Sequence, residues 1–136
     1  MKVKGYSRII AGLFGLALGC LANHVSAATY DATGNWDYTD FNHWNTCGEP
    51  NPGTSEGTDV VIQKGDSFTL IGPMGTISGS VSGATYSAVA MFFEDGGQTT
   101  LNFTVTASSS TQAGGDITWT WSGFGETCEG GWTTTF

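Results

Sequence analysis

Beyond Ala27 the sequence has no arginine, a single lysine at Lys64 and a single histidine at His43, set against twelve aspartates and glutamates. One cation cannot neutralise a phosphate backbone, so nucleic acid is excluded as a partner. The same imbalance disfavours an anionic membrane surface, whereas a cationic protein would be drawn to the chain. Catalytic machinery is also scarce. A Ser-His-Asp or Cys-His arrangement would have to be built on His43, and there is no Gly-x-Ser-x-Gly elbow. Acids are abundant, but most lie in turns beside Gly, Asn or Thr, as do Asp31, Asp66, Asp95 and Glu129. The expectation is a non-enzymatic domain without a cofactor. Metal ligation is not expected either: Asp31, Asp37 and Asp40 form one acidic cluster and Glu94 with Asp95 another, and neither follows an EF-hand spacing.

Long apolar runs are absent apart from one near the start. Met1 to Arg8 is basic, Ile9 to Ala22 is apolar, and Asn23-His24-Val25-Ser26-Ala27 is polar with small residues before a cut. This is the pattern of a secretory signal peptide, residues 1–27, with an apolar core shorter than the roughly 20 residues a spanning helix needs. Secretion or periplasmic release after cleavage near Ala27 is expected. The alternative is lipidation at Cys20, where Gly19-Cys20 could end a lipobox.

Residues 28–136 suffice for one domain with a modest core. Only Cys47 and Cys128 remain in it, and two cysteines in an oxidising compartment most simply pair. Closing so long a loop is worth roughly 4 to 5 kcal/mol in the chain-entropy model.

Period-two alternation fills most of this region, with Thr, Val, Ile, Phe, Tyr and Trp between Gly-rich breaks. The fold is expected to be all-β. Strands are read at Gly34 to Phe41, Val60 to Lys64, Ser67 to Ile71, Thr76 to Ser82, Ala84 to Glu94, Gln98 to Ala107, Asp116 to Ser122 and Gly131 to Phe136. A polar loop spans Asn45 to Thr58, Gly65-Asp66 and Gly83 mark hairpin turns, and Ser108 to Gly115 reads as a small-residue turn. About eight antiparallel strands in strict succession point to an up-and-down meander closing into a small barrel, with a β-sandwich as the alternative. A bridge from beyond the first strand to just before the last suits closure.

All five tryptophans fall in this domain. Trp44 and Trp132 are the candidates for an exposed stacking surface, while Trp36, Trp119 and Trp121 alternate as interior residues do. Gly34-Asn35-Trp36 on the first strand resembles the Gly-x-Trp signature that opens lipocalins and the related avidins, eight-stranded barrels that hold a small ligand in their lumen. The resemblance implies a lumen lined by Trp36, Phe68, Phe103, Trp119 and Trp121, either hollow or packed solid. The basic residue that lipocalins usually set over this tryptophan from the last strand is missing.

Ser82-Gly83-Ala84-Thr85-Tyr86 resembles the Ser-Gly-x-x-Tyr loop of the C-type lysozyme inhibitor family, also small exported barrels with a disulfide. That resemblance implies Ser82, Gly83 and Tyr86 at a contact with a basic lysozyme, although the basic side chain common beside the loop is absent at Thr85. Phe136 is similar to the closing phenylalanine of outer-membrane barrels, whose strands need about 9 to 11 residues, more than Val60 to Lys64 or Ser67 to Ile71 supply. The functional expectation is therefore an exported binding domain for a small apolar ligand or a macromolecular partner. A periplasmic lysozyme inhibitor and a small outer-membrane barrel are the alternatives.

Overall fold

A computed structural model describes residues 26–94 and 96–136. The apolar leader and Cys20 lie outside the described residues, as does Asp95. The chain forms eight strands: β1 (Gly34–Asn45), β2 (Ser55–Lys64), β3 (Ser67–Gly72), β4 (Gly75–Ser82), β5 (Thr85–Glu94), β6 (Gly97–Ser109), β7 (Gln112–Gly123) and β8 (Glu126–Thr135). Each pairs antiparallel with its sequence neighbours, and β1 also pairs with β8, closing an up-and-down barrel. Closure rules out the sandwich.

Four boundaries differ from the sequence expectation by four residues or more. β1 runs on to Asn45, β2 starts at Ser55, β7 at Gln112 and β8 at Glu126. Most of the added residues are Gly, Thr, Ser, Asn, Gln or acidic, so local composition reads as loop. Backbone pairing on neighbouring strands overrides it, because closure requires long tilted strands. Residues 112–115 show the effect: Gly114 and Gly115 pair with Thr106 and Val105 on one side and with Thr135 and Thr134 on the other.

Alternation places Phe68, Leu70, Ile77, Val81, Tyr86, Ala88, Leu101, Phe103, Val105, Ala107 and Ile117 inside, in one continuous core. The outer faces of β6 and β7 carry Asn102, Thr104, Thr106, Thr118 and Thr120, all open to solvent or partly so. One part of the wall is less tied. The β4–β5 ladder ends at Gly79–Ala88, so residues 89–94 of β5 pair with β6 alone. Val89, Met91 and Phe93 stand outward along that stretch, Phe93 being 85% exposed.

The two ends of the barrel differ. At the end with the β2–β3, β4–β5 and β6–β7 turns, residues 26–33 lie across the opening. Thr29 N–H donates to Gly83 O at 2.7 Å and Gly83 N–H to Ser26 O at 2.9 Å. The Gln63 amide joins this plug to the wall. Its Oε1 accepts from Ala32 N–H at 2.9 Å, and its Nε2 donates to Tyr30 O at 3.1 Å. The Tyr86 hydroxyl lies 3.0 Å from both Tyr30 O and Gln63 Oε1. Gln63→Leu would orphan these groups at once and is expected to cost about 2 kcal/mol in urea denaturation. An unchanged midpoint would show that the plug adds nothing to stability.

Aromatic packing fills this closed half. Trp36 Nε1–H donates to Ala32 O at 2.7 Å, and its ring meets Phe136 edge-on at 6.2 Å. Phe68 sits 5.5 Å from Tyr86 and 5.9 Å from Phe103. Only about 30 Å³ is left empty there, on the order of one water molecule.

Cys47 and Cys128 are joined, bridging a sequence separation of 81. The bond ties the 46–54 segment to β8, and Thr46 N–H donates to Glu129 O beside it at 2.8 Å. That segment crosses the opposite, open end.

Candidate ligand-binding site

Inward positions of β1 are even-numbered through Trp36, Tyr38 and Asp40. At Asn42 the strand bulges: Phe41 pairs with Thr133 but Trp44 with Gly131, so β1 spends one residue more than β8 over this interval. Asn42 takes a φ of 54°, a left-handed conformation that Asn tolerates better than most residues. The extra residue reverses the alternation and turns His43 toward the mouth. On β8, Trp132 and Thr134 keep inward positions, and His43 stacks on Trp132 at 5.7 Å with the planes 24° apart.

β2 contributes Asp59, opposite Trp36 in register. Its neighbour Gly72 has no side chain, and any Cβ there would collide with the Asp59 carboxylate. Gly57, opposite Tyr38, likewise leaves the space into which that phenol folds. Both are absences that make room for a polar group inside a barrel.

These residues surround a cavity of about 500 Å³. Leu70, Ile77, Phe103, Ile117 and Trp119 make its apolar floor and walls, and its polar lining includes Tyr38, Asp40, His43, Glu49, Asp59 and Thr134. Pro50, Pro52 and Met74 lie over it. The volume is in the range of small-molecule sites.

The electrostatics of the cavity are one-sided. Asp59 is 8% exposed. Burial, and secondarily the charge of Asp40, push its pKa up to about 6. Asp40 is also raised by burial, a shift opposed by Thr134, by the nearby His43 and by Trp132. Tyr38 is raised by burial first, then by Asp59 and Asp40. Although Thr134 and Trp132 approach Asp40 closely enough to lower its pKa, neither completes a hydrogen bond. His43 Nε2, Trp132 Nε1 and Thr134 Oγ1 are all buried without a partner. Lys64 is at the far end of β2, next to the β2–β3 turn.

The five aromatics expected to line a lumen are divided between the two halves. Phe103 and Trp119 border the open cavity, whereas Trp36 and Phe68 belong to the filled half below it. Trp121 lies farther out, in the wider mouth with Phe92, Glu94 and Thr127. Trp44 is exposed at the rim, but Trp132, expected to be exposed as well, is partly buried against His43.

The Ser-Gly-x-x-Tyr segment is placed differently from a protruding loop. Ser82 is exposed at the end of β4, and the Gly83 carbonyl accepts from Thr29 N–H of the segment across the barrel end. Tyr86 is only 5% exposed, with its hydroxyl bonded inside the barrel. Position 86 shares the inward parity of Ala88, and that alternation carries Tyr86 into the core.

The acidic cluster expected at Asp31, Asp37 and Asp40 is dispersed. Asp31 accepts from Thr33 N–H, Asp37 accepts from the Thr58 hydroxyl on the outer wall, and Asp40 faces inward. Among the described residues no group of three His, Cys, Asp or Glu side chains is placed to hold a metal ion. No protein-family model, curated protein or solved structure matches the chain.

Proposed function

We propose that this is an exported, non-enzymatic barrel that binds one small ligand, with a largely apolar body, in the open half of its lumen. The observation that carries the reading is the contrast between the two ends: about 500 Å³ of lined space at one and about 30 Å³ at the other. A barrel of this size can fill its interior with side chains, as its closed half does. Leaving the other half hollow, under an apolar wall with a few convergent polar groups, is the arrangement of a binding site.

The eight-stranded meander with Trp36 at its plugged end supports the likeness to lipocalins. The Cys47–Cys128 bond suits the oxidising compartment that a secretory leader would reach. Cleavage after Ala27 would make Ala28 the amino terminus, and its nitrogen lies 3.2 Å from Asp66 Oδ1. A new ammonium would meet a carboxylate there. Burial of Tyr86 favours the lumen over the Ser82–Tyr86 segment as the recognition surface, and the threonine-rich exterior of β6 and β7 favours water over lipid around the barrel.

The test is a titration of the purified protein with N-phenyl-1-naphthylamine, an uncharged apolar fluorophore. Saturable one-to-one binding is expected, and Ile117→Trp, which fills the cavity floor, should abolish it. Met74→Trp at the rim serves the same purpose if the floor variant does not fold. Folded protein that gives no saturable signal would contradict the proposal.

A further inference from the structure

We propose that the ligand is a small organic ammonium, an amine on an aromatic or aliphatic body, whose cationic head sits between Asp59 and Asp40. This rests on the binding reading above and narrows it to a chemical class. The body would have on the order of 10 to 20 non-hydrogen atoms to suit the cavity.

The first ground is charge without compensation. Asp40 and Asp59 face the same space from adjacent strands, and among the described residues the basic side chain near them is His43, which acts on Asp40 and not on Asp59. Lys64 is out of reach, and the sequence beyond Ala27 has no arginine to bring in. A buried carboxylate is costly unless it is paired or hydrogen-bonded. A bound cation supplies what the fold withholds.

Beside the acids is the Thr134 hydroxyl. Thr134 is 1% exposed, lines the same cavity, and its Oγ1 has no partner. It stands beside Asp40 as an acceptor for one of the N–H groups of an ammonium, which needs up to three. Tyr38, Trp119 and Trp132 border the remaining approach, and aromatic rings attract an organic cation. A bare divalent ion fits less well, because among the described residues no three His, Cys, Asp or Glu side chains converge to hold one.

Gly72 adds a positional argument. The carboxylate of Asp59 occupies the volume that a side chain at 72 would take, so the wall is cut away to seat an acid. Nothing in the packing of the barrel requires an acid at that point; an apolar residue would fill the same layer.

A pH dependence follows. The titratable groups that line the cavity with Asp59 are Tyr38, Asp40 and His43 from β1 and Glu49 from the loop above; the lining residues of β3 and β8 add none. With a carboxyl pKa near 6, amine binding at lower pH must expel a proton. Affinity should fall about tenfold per pH unit below that point.

The experiment is calorimetric titration of the disulfide-intact protein with matched pairs: tryptamine against 3-indoleethanol, phenethylamine against 2-phenylethanol, and octylamine against octanol. N-phenyl-1-naphthylamine is run in parallel. At least one amine is expected to bind tenfold or more tighter than its alcohol at pH 7, and Asp59→Asn should erase that preference by bringing the amine down to the affinity of its alcohol. Fluorophore binding with no amine preferred in any pair would overturn the ammonium inference and leave the pocket standing. Failure of every probe, fluorophore included, would overturn both. A preference that survives in Asp59→Asn would remove Asp59 from the site.

Discussion

Asp59→Asn is expected to stabilise the protein at pH 7 by about 2 kcal/mol, an unusual outcome for a change at an interior position. The sign follows from linkage. The folded-state pKa of about 6 lies above the ordinary value of 3.8. Between these two values the native protein holds more protons than the unfolded chain, so stability declines as pH rises. The contribution of Asp59 is therefore most favourable below about pH 4 and has been lost by the time pH passes the folded value. A shift of that size corresponds to roughly 3 kcal/mol at most, and solvent at the open mouth reduces it to about 2. Urea denaturation from pH 4 to pH 8 should show the native protein weakening across the window and the asparagine variant weakening less. General repulsion among the acids acts in both proteins and cancels in the comparison. A destabilised variant, or two parallel pH profiles, would contradict the burial and charge assigned to Asp59.

Reduction of the Cys47–Cys128 bond, or its replacement by Cys47→Ser with Cys128→Ser, is expected to cost about 3 kcal/mol and to lower Tm by roughly 15 °C. The chain-entropy ceiling for a loop of this length is nearer 4 to 5 kcal/mol. Less is expected here because the β1–β8 ladder closes nearly the same loop, with Asn45 paired to Gly130. The change should also reach the cavity, since the bond holds the segment carrying Glu49, Pro50 and Pro52 over its mouth. Calorimetric melting with and without reductant measures the first effect, and fluorophore affinity in the serine variant measures the second. A shift of under 2 °C would mean that β-pairing alone fixes the ends of the chain.

The barrel was legible in the sequence because its strands alternate cleanly and follow one another through short turns. Trp36, Phe103, Ile117 and Trp119 could be placed inside by parity alone. The site was far less legible, for reasons particular to each residue. Asp59 is an inward carboxylate preceded by Glu56, Gly57 and Thr58, so the start of β2 reads as loop and its polar interior position breaks the pattern that marks a strand. Only the pairing with β1, which sets Asp59 against Trp36 and Gly57 against Tyr38, reveals it. His43 is turned inward by the bulge at Asn42, and no periodicity announces a reversal of parity. Thr134 shares its alternation with Trp132 and Phe136, but a threonine in a Thr-rich strand carries no mark of being buried. Tyr86 fails in the opposite direction: a local motif reads as an exposed loop, whereas its parity with Ala88 places it in the core. Local composition reports hydrophobic alternation well, and functional polar residues inside a barrel are the exceptions to it.

Asp59 is a carboxylate held in a largely apolar cavity with no lysine or arginine to pair it. Carbon-13 NMR titration of the Asp59 side-chain carboxyl, assigned by its absence in Asp59→Asn, reads that condition directly. A pKa near 6 is expected for the free protein, moving down toward ordinary carboxylate values when the amine preferred in the calorimetric pairs is added. A free-protein value near 3.8, unmoved by that amine, would contradict it.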